Sequence, residues 1–402
     1  MFAVLKGGAR PDNWPGDRVF VFVMGGLMAF APLAIDMYLP ALPAIGREFA
    51  VGQHEVQITL GVYFLGFGIG QLFWGPVGDR FGRRIPIAVG IAVFVAACVL
   101  AAIARDVETL IAARFVQALG SSAAPVLARA MVRDVFDRER SAAMFSLMML
   151  VMGAAPMLAP LLGGVVDLWA GWRAIFLALG AFALAVMWFL FRVPETLAHA
   201  DRRPADWRSV VAGYTEVARD RRFLAYAFSG AFMFAAMFAY IGGTPFVYIE
   251  IFGVKPELYG FLFGLNVVGM MAASAVNGRN VGRIGLDRTL RAAFAAAAAL
   301  GGVVFAVGAG GIGGLWGLVA AIFAFLATIG FIGANATAGA LAPFPHLAGT
   351  ASALAGAIQF GLGAVTSVLA GYFADGTPGP MCAVIAACAV AAFAINRWGT
   401  PA

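Results

Sequence analysis

The sequence predicts an all-α membrane protein built from two related six-helix bundles, and three observations carry that reading. The chain is 62% apolar and only 12% charged, with a mean hydropathy of +0.89, whereas soluble domains hold roughly 25% charged residues. Its apolar residues gather into twelve windows, each long enough to cross about 30 Å of hydrocarbon as a helix of roughly 20 residues. Residues 193–222, the longest polar stretch, divide those windows six and six. The windows lack the period-two alternation of barrel strands, and a helix satisfies its own backbone in lipid, so all twelve are read as helices.

Helix 1 is expected over 19–42, too long for a signal-peptide core, and so it stays attached. Helices 2, 3 and 4 follow over 56–77, 85–104 and 108–131. Helix 5, over 141–166, holds Pro156 and Pro160 four apart on one face; each proline removes a backbone hydrogen bond and bends the helix. Gly163 and Gly164 beside them offer close-approach surface. Helix 6, over 174–192, completes a first half of 1–192, with 193–222 as cytoplasmic linker and 223–402 as the second half. Helices 7 to 12 are expected over 223–249, 257–277, 288–308, 313–340, 349–373 and 378–396. Arg80-Phe81-Gly82 recurs as Arg283-Ile284-Gly285, each after the second helix of its half. Such parallel six-helix repeats, with a substrate path between them near mid-membrane, are a recurring transporter design.

Orientation follows from the 27 Lys and Arg residues. With both termini cytoplasmic, the inner segments collect Lys6, Arg10 and Arg18, the arginines after helix 2, those around 129–140, the linker arginines including Arg203, and those after helix 8. Only Arg47, Arg105, Arg173 and Lys255 fall outside, and Arg114 lies within a span. By the positive-inside rule this asymmetry sets the topology. The net charge of +6 is thus a topological signal, spread over short loops without the dense patch that nucleic-acid binding needs. Cys98, Cys382 and Cys388 all lie within windows, so neither a disulfide frame nor a metal site is implied. A phosphate-loop frame, an in-span lysine and paired in-span histidines are missing from the sequence, which argues against a primary pump, a retinal protein and a redox enzyme. No enzymatic activity is expected, and no cofactor beyond a proton as coupling ion.

The turn after helix 2 reads GPVGDRFGRR, Gly75 to Arg84. Gly75, Gly78 and Gly82 let the backbone turn sharply, and Arg80, Arg83 and Arg84 hold the loop inside. This Gly-x-x-x-Asp-Arg-x-Gly-Arg-Arg pattern closely resembles the signature loop of the major facilitator superfamily. The resemblance implies that Asp79 and the arginines form a breakable latch between the bundles; the second-half copy has Gly282 in place of Asp79. Further stretches are similar to the superfamily's proton-coupled Bcr/CflA-like multidrug and chloramphenicol exporters: APLAIDMYLPALP (31–43), LIAARFVQALGSSAA (110–124), AAPMLAPLLGG (154–164), GWRAIF, TPFVYIE and AGTASAL. Pro160, Gly163 and Gly164 match that group's antiporter motif, while Ala118, Ala155 and Ala159 stand where it has glycine. The resemblance implies a monomeric multi-pass protein of the bacterial inner membrane that expels hydrophobic drug-like molecules in exchange for protons.

Asp36 is the one acidic residue in the interior of a predicted span, where a carboxylate costs about 2.5–3.5 kcal/mol and relieves that cost by protonation or pairing. It lies six residues before Leu42, and Arg114 six after Glu108, so both sit roughly 9 Å inside the outer boundary. Two readings stay open: a static ion pair locking helix 1 to helix 4, or a proton site at Asp36 tuned by Arg114. Within the spans Tyr38, Tyr63, Gln117, Tyr240, Asn266, Asn335 and Gln359 are polar, among Met37, Phe234, Met237, Phe238, Phe263 and Phe360. Aromatics and methionines make adaptable apolar pockets, and these residues form the candidate substrate cavity. The alternatives are a proton-linked carrier of one endogenous metabolite and a non-transporting membrane receptor.

Overall fold

The computed structural model describes residues 16–202 and 207–399; Lys6, Arg10 and Arg203 lie outside the described residues. Twelve helices long and apolar enough to cross a membrane are present among them. Helices 1 to 6 are Arg18–Phe49, Gln53–Phe81, Arg84–Ala102, Val107–Val135, Glu139–Ala170 and Trp172–Leu190. Helices 7 to 12 are Arg221–Ile251, Pro256–Ile284, Leu286–Gly310, Gly314–Leu341, Pro345–Tyr372 and Gly379–Gly399. A shorter linker helix, Trp207–Arg219, lies between the halves.

Several helices outrun their apolar windows, because the backbone ladder continues until a cap or breaker stops it, whether or not the side chains are apolar. Helix 4 reaches Val135 and helix 8 reaches Ile284. At the other ends, acidic side chains accept from orphan amides: Asp106 from Thr109 N at 2.7 Å, Asp137 from Arg140 N at 3.0 Å and Asp220 from Phe223 N at 2.6 Å. These are N-caps of the ordinary kind.

Helix 1 departs most from expectation. It does not end near Leu42 but continues to Phe49, and it is broken on the way: an α-segment Asp17–Asp36, a 3-10 turn Leu39–Ala41, then a second α-segment Leu42–Phe49. Pro40 lacks the N–H that would close onto the Asp36 carbonyl, and Pro43 the one that would close onto Leu39. Asp36 is therefore the last residue of a helical segment, and the depth expected from a straight run to Leu42 does not apply.

The packing repeats on adding six to each helix number. Helix 1 packs on 5 and helix 7 on 11; helix 2 on 4 and 8 on 10; helix 3 on 6 and 9 on 12. The bundles join through helix 2 on 11 and its counterpart, helix 5 on 8. This is the two-fold pseudo-symmetry that the repeated Arg-x-Gly turns predict.

At the end that holds the helix 1–2 and helix 7–8 turns, the outer end by the sequence expectation, the bundles are closed on each other. Gln57 Nε2 donates to the Gly242 carbonyl at 2.8 Å, and Arg47 pairs with Glu250 at 3.2 Å. Small residues bring the backbones together: a Cβ on Gly164 would stand 2.9 Å from Pro256 O, and one on Gly260 2.7 Å from Leu161 N. Exposed indoles mark both ends of the barrel of helices. Trp169 and Trp316 sit at one end, Trp188 and Trp398 at the other, as in the aromatic belts of membrane proteins.

Candidate functional site at the bundle interface

Asp36 is 4% exposed and Arg114 fully buried, yet they form no ion pair. Arg114 Nη1 instead donates to the Ala34 carbonyl at 2.9 Å and to Gln117 Oε1 at 2.6 Å. Ala34 belongs to the last turn of the first segment of helix 1, where carbonyls run short of helical donors and the dipole end is negative. Arg114 is thus a C-cap supplied from helix 4. Its guanidinium also lies over the rings of Tyr63 at 4.2 Å and Tyr38 at 4.6 Å, a desolvated cation–π arrangement. The rings are anchored by their own hydroxyls, Tyr38 on Thr59 at 2.9 Å and Tyr63 on Ser121 at 2.8 Å. The static Asp36–Arg114 ion pair is therefore not formed: helix dipole and aromatic faces hold the cation, and the carboxyl has no ion-pair partner among the described residues.

Asp36 lies near residues of both halves. It is within electrostatic range of Tyr63 in the first bundle and of Tyr240 and Tyr259 in the second. The second-bundle hydroxyls are themselves tied down, since Asn266 Nδ2 donates to Tyr240 Oη at 2.8 Å and Thr244 shares a bond with Tyr259 at 3.0 Å. Phe263 stacks on Tyr240 with centroids 5.7 Å apart.

The remaining cavity candidates divide. Phe238 and Phe360 meet Phe64 and Phe67 of helix 2, with Phe64–Phe238 centroids at 4.2 Å and Phe67–Phe360 at 4.6 Å, forming an aromatic seam across the bundle interface. Phe234 and Gln359 line a shallow open cleft between helices 7, 10 and 11 with Tyr226 and Thr337. Asn335 is spent on Asn277 at 2.9 Å, a bond between helices 10 and 8. Met237 is half-buried on helix 7, and the Met37 backbone carbonyl is covered by Gly163 of helix 5.

The GPVGDRFGRR turn is held within the first bundle. Arg83 bonds Asp79 at 2.6 Å and Asp134 of helix 4 at 2.9 Å. Glu195 accepts from the amides of Arg83 and Arg84 at 2.8 and 3.1 Å, so it caps helix 3, and Gly82 makes the turn at φ +89°. The charges on Asp79 and Arg83 thus meet partners of their own half, and no pair from them to the second bundle is formed among the described residues. Asp134 and Glu195 were missed in the sequence, although two acids in otherwise basic inner segments were a usable signal. Phe64, Phe67 and Gln57 carried none, because rotation about the axis of helix 2 is not written in an apolar run.

Two pseudo-symmetric six-helix bundles with buried charge and aromatics at their seam are the architecture of one class of polytopic membrane transporters. Residues 24–368 match the family model described as Major Facilitator Superfamily. Over 372 residues the chain is 37% identical to the MFS-type transporter YdgK of Bacillus subtilis, covering 92% of each. It is 33% identical over 375 residues to the bicyclomycin resistance protein homolog of Haemophilus influenzae (92% of this chain, 94% of that one). It is 30% identical over 348 residues to multidrug resistance protein D of Escherichia coli (86% of each). The fold matches that of the xylose transporter XylE from E. coli, in a partially occluded inward-open conformation, with a TM-score of 0.73 at 13% identity over 95% of this chain and 98% of that one. The chain belongs to the Major Facilitator Superfamily, in its Bcr/CflA-like group, and is a transporter and not an enzyme.

Proposed function

We propose that the protein exports hydrophobic drug-like molecules, of the chloramphenicol or bicyclomycin type, in exchange for protons, working as a monomer in a bacterial inner membrane with both termini cytoplasmic. The observation that carries this reading is Asp36: a buried carboxyl, 4% exposed, at a break in helix 1, without an ion-pair partner and between tyrosines of both bundles. Antiport needs one group whose protonation differs between two access states. Arg114 stays charged throughout, and Asp36 is the carboxyl placed where rocking of the bundles changes its surroundings. In the outward state Asp36 takes a proton and drug leaves; in the inward state the proton is released and cytoplasmic drug binds. The closed outer contacts, Gln57 to Gly242 and Arg47 to Glu250, are those that part to admit the proton. The resistance-protein names of two relatives support the drug side of the exchange.

The test is proton release from purified protein on adding chloramphenicol, with binding followed in parallel. Wild type releases protons; Asp36→Asn, which mimics the protonated form, binds but releases none and does not pump against a gradient. Proton release and pumping by Asp36→Asn at wild-type levels would place the coupling site elsewhere.

A further inference from the structure

Helix 2 carries Pro76 five residues before its end, at the start of the GPVGDRFGRR turn. Proline has no N–H, so the carbonyl of Leu72, four residues earlier, has no helical donor. Tyr214 fills the gap: its hydroxyl donates to Leu72 O at 3.1 Å. Tyr214 does not belong to the bundle it contacts; it lies on the linker helix Trp207–Arg219 between the halves. That helix also touches the second bundle. Gly213 packs against Leu347 and Thr350 of helix 11, a Cβ there standing 3.8 Å from each, and Glu216 meets His346 at 3.5 Å. This contact is more than half exposed on both sides, so it holds little. The tyrosine bond is partly enclosed and goes to a carbonyl that has no donor of its own helix, so its loss leaves an unsatisfied group.

Helices 2 and 11 are also the pair that seals one side of the interface along its length, from Gln57 against Gly371 at the outer end to Gln71 against Gly356 further in. The linker helix therefore lies across the cytoplasmic end of this seam, tied to one wall by Tyr214 and resting on the other through Gly213.

We propose that Tyr214 is a positioning residue that docks the linker helix onto the carbonyl Pro76 leaves open, strapping the two bundles together at their cytoplasmic ends and setting how readily they rock. The proline that shapes the start of the turn thereby creates the socket for the strap. This deepens the transport reading and rests on it for its consequence, while the joint itself is measurable without transport.

The experiment is a double-mutant cycle on the full-length protein with Tyr214→Phe, Pro76→Ala and the pair. The first readout is hydrogen exchange of the linker-helix amides in purified protein, and the second is chloramphenicol efflux from proteoliposomes. Tyr214→Phe is expected to raise linker-helix exchange about five-fold, the loss of one hydrogen bond, and to change turnover. Pro76→Ala gives Leu72 its own helical donor, so in that background Tyr214→Phe has an effect close to zero on both readouts. Additive effects, or no change in linker exchange on Tyr214→Phe alone, would overturn the proposal. A normal exchange cycle with no chloramphenicol movement in any variant, wild type included, would instead count against the transport reading and leave the strap standing.

Discussion

At the scale of single residues, Arg114 shows what a buried cation does when no carboxylate takes it. Four interactions share it, the Ala34 carbonyl, Gln117 and the faces of Tyr38 and Tyr63, and a planar guanidinium can serve all of them at once. Both hydrogen bonds come from Nη1 alone; lysine keeps the charge but not the planar cation that lies over two rings. Arg114→Lys should therefore lower stability by about 1–3 kcal/mol, seen as a lower thermal midpoint in detergent, and cut efflux by more than about ten-fold. A Lys variant as stable and active as wild type would show that charge alone matters there. The burial of Asp36 and Arg114 stood out in the sequence because a charge in a long apolar run is expensive and so conspicuous. Their partners did not. Facing is set by rotation about helices 1 and 4 and by the break after Asp36, and Pro40 signals that break only once its missing N–H is matched to the Asp36 carbonyl.

At the scale of elements, number and order were the legible part, since spans are counted by hydropathy and the repeat at Arg80 and Arg283 announced the duplication. Ends were less so: nothing apolar marks where helix 5 begins at Glu139 or where helix 8 stops at Ile284, because caps and turns decide those. Helix 5 was read as a close-packing face from Pro156, Pro160, Gly163 and Gly164, and its glycines do meet backbone, Gly163 on Met37 and Gly164 on Pro256 and Glu257. They face different bundles. Gly163 seats the broken part of helix 1, whereas Gly164 lies on the inter-bundle contact with helix 8. Gly164→Leu should therefore abolish exchange while leaving first-bundle packing intact, since a Cβ there would already stand 3.1 Å from Glu257 Cα. Efflux assays on normally inserted protein decide it, and full activity would remove this contact from the transport cycle.

At the scale of the whole molecule, the outer closure is specific enough to be locked. A Cβ built on Gly371 would stand 3.1 Å from the Cβ of Gln57, close to the spacing of about 3.5–4.5 Å that a disulfide spans. The pair Gln57→Cys with Gly371→Cys should cross-link under mild oxidation, halt efflux, and recover it on reduction. The native thiols, Cys98, Cys382 and Cys388, are all free and buried and should stay silent. A cross-linked protein that still transports would mean that these two helices need not part at their outer ends. The rocking that this lock prevents also bears on the lipid around the protein. Helix 5 packs against helix 8 across the inter-bundle contact and ends in the exposed indole of Trp169, while Trp316, Trp188 and Trp398 mark the other interfacial levels. Any change in tilt of helix 5 drags Trp169 through the headgroup layer. In the proposed cycle bilayer thickness then enters the energy difference between the two access states, by fractions of a kcal/mol per Å of mismatch, and the host membrane becomes a silent effector of the transport rate.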